Sequence, residues 1–206
     1  MAALSRSTEA QSARRAEVEA AVLAATEELL GGGASFAGLS IERITRAAGI
    51  SRPAFYFYFR DKRELLMRLT EDVSQELYAE ADAWWSAPGP GEQALVQALR
   101  SVVAFYGRHG VLLRAVVQAS TYDEPVAGFW RAMVGRFGDA TRVRIEAEQA
   151  GGHIAAEVPA GPTAFALSWM TERTCYQHVV SGAPGGEEEL LAALSAVWLR
   201  AVYGRL

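Results

Sequence analysis

Residues Ser40–Leu66 read SIERITRAAGISRPAFYFYFRDKRELL, and this stretch decides the fold. Ser40 stands where an N-cap is needed for a helix over Ile41–Ala48. Gly49 stands where the chain must leave that helix through a left-handed residue. Ser51 repeats the N-cap signal, with Pro53 in the first turn, where a missing N–H costs little. Asp61-Lys62-Arg63-Glu64 is close to a capping box and opens a long helix reaching about Trp85. Two short helices around a tight Gly49-Ile50 turn, with a long helix directly after them, predict a helix-turn-helix.

The run Phe55-Tyr56-Phe57-Tyr58-Phe59 gives the second helix two faces. Phe55 and Phe59 are four apart and share one side, where they are expected to pack on Ile44, Ala47 and Ile50. Five consecutive aromatic residues cannot all point inward on one short helix. Tyr56 is rotated away from the two phenylalanines, and Arg52, four residues before it, shares its outward face. Tyr58 sits near the helix end, beside the start of the next helix. Tyrosine hydroxyls can bond phosphate oxygens and arginine can bond guanine edges bidentately. Lys62 and Arg63 add donors at the start of the following helix, where free N–H groups favour anions. The second helix is therefore the one presented to DNA.

The charge distribution agrees in sign. The chain has a net charge of −4, but residues 1–63 hold nine basic and seven acidic residues, or +2. The other eleven basic and seventeen acidic residues leave −6 for the remainder. The basic excess sits where the motif sits, as an electrostatic footprint requires. With 206 residues, half of them apolar, the chain has the composition of a globular protein with a real core. No apolar run approaches the roughly 20 residues of a membrane span. The N-terminal stretch has no apolar core of a secretion signal, and the single Cys175 cannot form an internal disulfide. These features predict a cytoplasmic protein with no membrane partner.

Outside the motif nearly every segment reads as helix. From about 12 to 30, Ala16, Val22, Leu23, Leu29 and Leu30 lie near helical spacing, until Gly31-Gly32-Gly33 stops the run. Ser86-Ala87-Pro88-Gly89-Pro90-Gly91 is the clearest break in the chain. Helices are expected over about 92–107, 110–120, 124–149, 162–181 and 187–203, with a looser stretch from Gly151 to Pro162. No repeat and no alternating strand pattern occurs. The fold class predicted is all-α, with about nine helices. Residues 1–63 would form the DNA-binding domain and 64–206 a second domain, joined through the helix over about 62–85.

Ala47-Ala48-Gly49-Ile50-Ser51 through Phe55-Tyr56-Phe57-Tyr58-Phe59-Arg60-Asp61-Lys62, then Glu64-Leu65-Leu66, resembles the N-terminal domain of TetR-family transcriptional regulators. The usual pattern there is A-G-V-S, L-Y-Y-H-F and K-x-K-E-x-L. Phe55 replaces the usual leucine and Tyr58 the usual histidine. Ser51-Arg52-Pro53, a Trp130 segment, Met170-Thr171-Glu172-Arg173-Thr174 and the closing Val197-Trp198 … Val202-Tyr203-Gly204 are similar to the EthR-like branch of that family. The resemblance implies a repressor that binds a palindromic operator as a homodimer and is released by a small apolar effector. One recognition helix per subunit would lie in successive major grooves of double-stranded DNA. By position Arg52, Tyr56 and Tyr58 would contact DNA, with Ser40, Thr45, Ser51 and Lys62 as further backbone contacts. The last two helices would form the dimer interface, making Val179, Leu190, Leu194, Val197, Ala201 and Val202 its candidates.

The second domain would be the sensor. It carries many large apolar residues, and Leu95, Val102, Tyr106, Trp130, Met133, Phe137, Trp169 and Trp198 are the candidates for lining an apolar pocket, with Thr171 as a polar contact. The same residues can equally fill a solid helical core. Thr171, Glu172, Arg173 and Thr174 lie mid-helix between apolar stretches, where buried charge must be paired. An internal network, a dimer contact and a polar end to the pocket all remain open readings.

Two other classes compete. A small-molecule-processing all-α enzyme would need a constellation, and the three histidines supply none: no H-E-x-x-H, P-loop or G-x-S-x-G occurs. Cys175 and His178, three apart, lack a second ligand cluster and read as packing. No catalytic residue, metal or cofactor is expected. A constitutive DNA-binding protein without an effector would not need so large an apolar second domain.

Overall fold

The helix signals of the opening stretch act through local hydrogen bonds. In the computed structural model, Ser40 is extended and its hydroxyl accepts the Arg43 N–H at 3.2 Å, which caps α2 (Ile41–Ala47). Gly49 takes φ +65°, the Ile50 N–H bonds the Thr45 carbonyl at 3.0 Å, and the Gly49 N–H bonds that of Arg46 at 3.3 Å. That pair of bonds is a Schellman closure, and it turns the chain sharply toward α3 (Arg52–Tyr58). Ser51 caps α3 by accepting the Ala54 N–H at 3.3 Å. The Glu64 N–H then bonds Asp61 Oδ1 at 2.8 Å to open α4 (Lys62–Trp85). Glu64 reaches back to the N–H of Arg60, also at 2.8 Å, one residue earlier than a regular capping box.

The structure describes residues 2–180, 182 and 185–204, with side chains from Arg14 onward except Val179. Among them are eight α-helices, one π-helical turn and no strand. The remaining helices are α1 (Ala2–Gly31), α5 (Glu92–Ala119), α6 (Glu124–Ala150), α7 (Ala160–Cys175) and α8 (Glu187–Tyr203), and the π turn is Tyr176–Val180. The all-α reading holds with one helix fewer than expected. The two segments at 92–107 and 110–120 are a single helix. Gly107 and Gly110 each cost it about 1 kcal/mol. Burial of Leu112, Leu113, Val116 and Val117 beyond them is worth about 1.5–3 kcal/mol per side chain and wins. The first helix begins at Ala2, about ten residues before its periodicity becomes readable. The expected helix over 162–181 starts at Ala160 and gives way after Cys175 to the π turn.

Contacts divide the chain into two compact units, Met1–Thr70 and Glu71–Leu206, and the division falls inside α4. In the first, Val22, Leu30, Phe36, Leu39, Ile44, Phe55, Phe59, Leu65 and Leu66 form the core. Ala16 and Ala47 are exposed, against expectation, because their helix faces turn to solvent. A chain of charges ties α1 to α4: Arg15 and Arg68 both reach Glu19, at 3.0 and 2.9 Å, and Arg68 approaches Glu64 at 3.5 Å.

In the second unit α5, α6, α7 and α8 pack around one apolar core that includes Leu95, Leu113, Val116, Val126 and Ile145. The break at 86–91 is held by a buried ion pair. Arg144 meets Glu148 at 2.6 Å and donates to the carbonyls of Ala87 and Gly89. Glu148 also accepts the Tyr203 hydroxyl at 2.8 Å, so the end of α8 joins the same network. Gly91 is confined there: a Cβ on it would stand 2.7 Å from Arg144 Nη2 and 2.8 Å from the Trp84 indole. Among the described residues no helix is long and apolar enough to cross a membrane.

Candidate functional site

The outward face of α3 is built as its spacing predicts. Phe55 and Phe59 are buried with ring centroids 5.3 Å apart, which seats the helix in the core of its own unit. Tyr56 remains 46% exposed, and its hydroxyl accepts from Arg52 Nη2 at 3.4 Å, with the Arg52 guanidinium 5.7 Å from the ring centroid. The hydrogen bond and the field of Tyr56 raise the Arg52 pKa further above its ordinary value. Arg52 is exposed and fully charged, and its planar fork is pre-oriented along the helix surface. Tyr58 is half-buried, 6.0 Å from the Arg15 guanidinium. Ser40 and Ser51 are exposed with their oxygens in the caps, leaving each hydroxyl proton to donate outward.

Thr45 and Lys62 are placed otherwise than expected. Thr45 is 4% exposed and its hydroxyl donates to the Glu42 carbonyl at 3.1 Å. The Lys62 ammonium donates to three carbonyls, those of Phe36 at 2.8 Å, Ala37 at 3.1 Å and Leu39 at 2.9 Å, and lies 4.9 Å from the Phe36 ring. All three of its protons are used inside the unit. Burial also lowers its pKa. Lys62 is a clamp between the loop before α2 and the start of α4, not a donor aimed outward. Phe57 is the exposed residue of this face that residue-level reasoning passes over. Its place beside Pro53, four residues earlier, is the available signal.

In the second unit the expected ligand residues separate into groups. Trp198 donates to the Thr171 hydroxyl at 2.9 Å, and its ring meets Trp84 edge-on at 5.7 Å. Phe137 belongs elsewhere, packed with Tyr78 and Trp85 at 5.4 and 5.7 Å. Trp169 is half-buried against the exposed Phe165. Val102 is half-buried, while Leu95 and Met133 are buried in the core.

Glu172 is the exception to good pairing. It is 4% exposed, and neither carboxylate oxygen has a hydrogen-bond partner; the indole N–H of Trp130, also buried, has none either. The Trp130 N–H is near enough to favour the carboxylate but misses hydrogen-bond geometry. Arg173 Nε stands 3.6 Å away with its own head half in solvent. Burial raises the Glu172 pKa, opposed by Arg173. The buried Tyr106 hydroxyl is pushed well up by burial and by Glu172, and the Cys175 thiol up to about 12 for the same reasons. Tyr106 of α5, Trp130 of α6, and Glu172 and Cys175 of α7 are therefore buried polar groups of one apolar unit, with Glu172 influencing the other titratable two. Leaving Glu172 and the Trp130 N–H without partners costs about 1–3 kcal/mol each. They can do two things that apolar packing cannot: accept a donor at Glu172 and donate to an acceptor at Trp130.

Of the interface candidates, Leu190, Leu194 and Val202 are buried within their own chain, so they face its core and not a second subunit. Val197 and Ala201 are exposed, and Val179 lies outside the described side chains.

Comparison with known proteins matches two stretches of the chain. Residues 22–69 match the sequence profile described as bacterial regulatory proteins, tetR family, and residues 95–204 match that described as transcriptional regulator EthR, C-terminal domain. The chain is 32% identical over 190 residues to the HTH-type transcriptional regulator EthR of Mycolicibacterium smegmatis, covering 91% of this chain and 87% of that protein. It is 30% identical over 189 residues to the protein of the same name from Mycobacterium tuberculosis, with 90% and 87% covered. A tetR-family transcriptional regulator from Streptomyces coelicolor shares the fold, with a TM-score of 0.70 at 22% identity over 92% of this chain and 80% of that one.

Proposed function

The chain belongs to the TetR family of transcriptional regulators, in the branch that carries the EthR C-terminal domain, and from that premise we propose that this DNA-binding regulator represses its target as an effector-released homodimer. It is a regulator rather than an enzyme. Each subunit places α3 in the major groove of one half of a palindromic operator. Arg52 supplies the guanine-edge or phosphate contact, Tyr56 and Tyr58 flank it, and the Ser40 and Ser51 hydroxyls meet the backbone. The protein acts in the cytoplasm, where a bacterial operator lies.

The dimer forms through the outer faces of α7 and α8. Ala193, Val197 and Ala201 lie at successive i, i+4 positions on α8 and are all exposed, Val197 at 42%, and Phe165 on α7 is 65% exposed. Small residues beside large apolar ones suit close helix packing against a symmetry mate.

The observation that supports the effector reading is the buried Glu172 carboxylate and Trp130 indole N–H, neither with a hydrogen-bond partner. A ligand with an apolar body and one polar group would relieve the desolvation cost of these groups. Binding there favours a dimer conformation whose reading helices no longer match successive grooves, which lowers operator affinity by linkage. The test pairs two measurements on the full-length protein: a thermal-shift screen of apolar compounds and a gel shift on a duplex selected by the protein from a randomised library. Compounds that raise Tm are expected to release that duplex, and Glu172→Gln is expected to weaken their effect. Compounds that stabilise wild type and variant alike, and leave the complex intact, would contradict the reading.

A further inference from the structure

The reading helix carries a residue with no assigned role. Phe57 is 70% exposed, more than any other large apolar side chain among the described residues. Its ring is propped edge-on by Tyr58 at 5.1 Å, so it is held outward and not folded back onto the unit. Pro53, four residues earlier on α3, is exposed on the same side. The outward surface of α3 is therefore two stripes. Arg52 and Tyr56 form a polar one, locked by their hydrogen bond, and Pro53 and Phe57 form an apolar one beside it.

A phenyl ring offers no donor or acceptor and cannot bond a phosphate or read a hydrogen-bonding base edge. What the major groove offers an apolar side chain is the C5-methyl group of thymine. A protein surface is the less fitting occupant. The patch is continuous with the DNA-binding face and shares its short helix with the charged Arg52, and the sequence to residue 63 carries a net +2. Residues 53 and 57 are separated by about 6 Å along the helix axis, at about 1.5 Å per residue. That spans about two base-pair steps of about 3.4 Å. One stripe can therefore touch methyl groups within a short thymine run.

We propose that Phe57, backed by Pro53, is a further specificity-determining residue that reads thymine methyl groups in each half-site, beside the contacts made by Arg52 and Tyr56. This rests on α3 lying in the major groove. The division of labour gives separable signatures: loss of Phe57 removes discrimination at thymine positions, and loss of Arg52 weakens the whole complex.

The experiment uses the full-length protein and the duplex it selects from a randomised library. Each thymine is replaced in turn by deoxyuridine, which removes only the methyl group, and affinity is measured by gel shift at fixed salt. One or two positions per half-site are expected to weaken wild-type binding about fourfold, the transfer value of one buried methyl group. Phe57→Ala is expected to bind the thymine and deoxyuridine duplexes equally at those positions, with an unchanged melting curve. Phe57→Leu is expected to keep part of the difference. The proposal is overturned if no deoxyuridine weakens wild type, or if Phe57→Ala retains the full deoxyuridine penalty. Arg52→Ala on the same duplexes separates the two failures, since it loses affinity if α3 is the reading helix whatever Phe57 does.

Discussion

At the scale of single residues, Glu172 is a buried carboxylate whose oxygens have no hydrogen-bond partner. Burial favours its neutral form and raises its pKa. Since its folded pKa is raised, the cost is absent below the ordinary value of 4.5 and grows as pH rises through the folded value. Glu172→Gln removes the charge, so its Tm is expected to exceed that of wild type at neutral pH. The gap should shrink as pH falls toward 4.5. A relief of about 1 kcal/mol, the low end for an orphaned buried group, corresponds to about 2–4 °C at this chain length. Thermal melts from pH 4.5 to 8 check this, and a gap independent of pH would show that ionisation of Glu172 is not its source. Arg52 and Tyr56 are readable as a pair because four-residue spacing on a helix fixes their proximity. The state of Glu172 is not readable in the same way: its mid-helix place is plain, but its lack of hydrogen-bond partners depends on how the neighbouring helices approach it.

At the scale of elements, the helix-turn-helix is legible because its signals are local. Ser40, Gly49, Ser51 and Asp61 each act within a few residues, and each forms its expected bond or takes its expected conformation. Lys62 shows where local reading stops. Its three acceptors lie 23 to 26 residues earlier in the sequence, so only the fold of the loop at 36–39 reveals its job. Lys62→Met is expected to lower the stability of the chain by about 1–3 kcal/mol, the cost of stranding part-buried carbonyls. Urea denaturation measures it. Unchanged stability with weakened operator binding would return Lys62 to the set of phosphate contacts. The same limit explains α5. Gly107 and Gly110 read as a break locally, and only the burial of Leu112, Leu113 and Val116 in the next turns keeps the helix whole.

At the scale of the whole molecule, the two units divide the labour. The first presents a charged and aromatic helix; the second keeps buried polar groups inside an apolar core and exposes Ala193, Val197 and Ala201 on α8. The fold class, the helix-turn-helix and the family are legible in the sequence, because they rest on periodicity and on one dense motif. The grouping of the large side chains of the second unit is not, since Phe137 and Trp130 share a helix yet have different surroundings. The claim on which the rest depends is that Arg52 on α3 carries sequence-specific binding. The direct measurement is a gel shift at fixed salt, comparing wild type with Arg52→Ala on the selected duplex and on a scrambled duplex of equal length. A bidentate base contact is worth about 1–3 kcal/mol, so Arg52→Ala should lose about 5- to 150-fold per half-site on the selected duplex and much less on the scrambled one. Equal affinity of wild type and Arg52→Ala for the selected duplex would contradict the account.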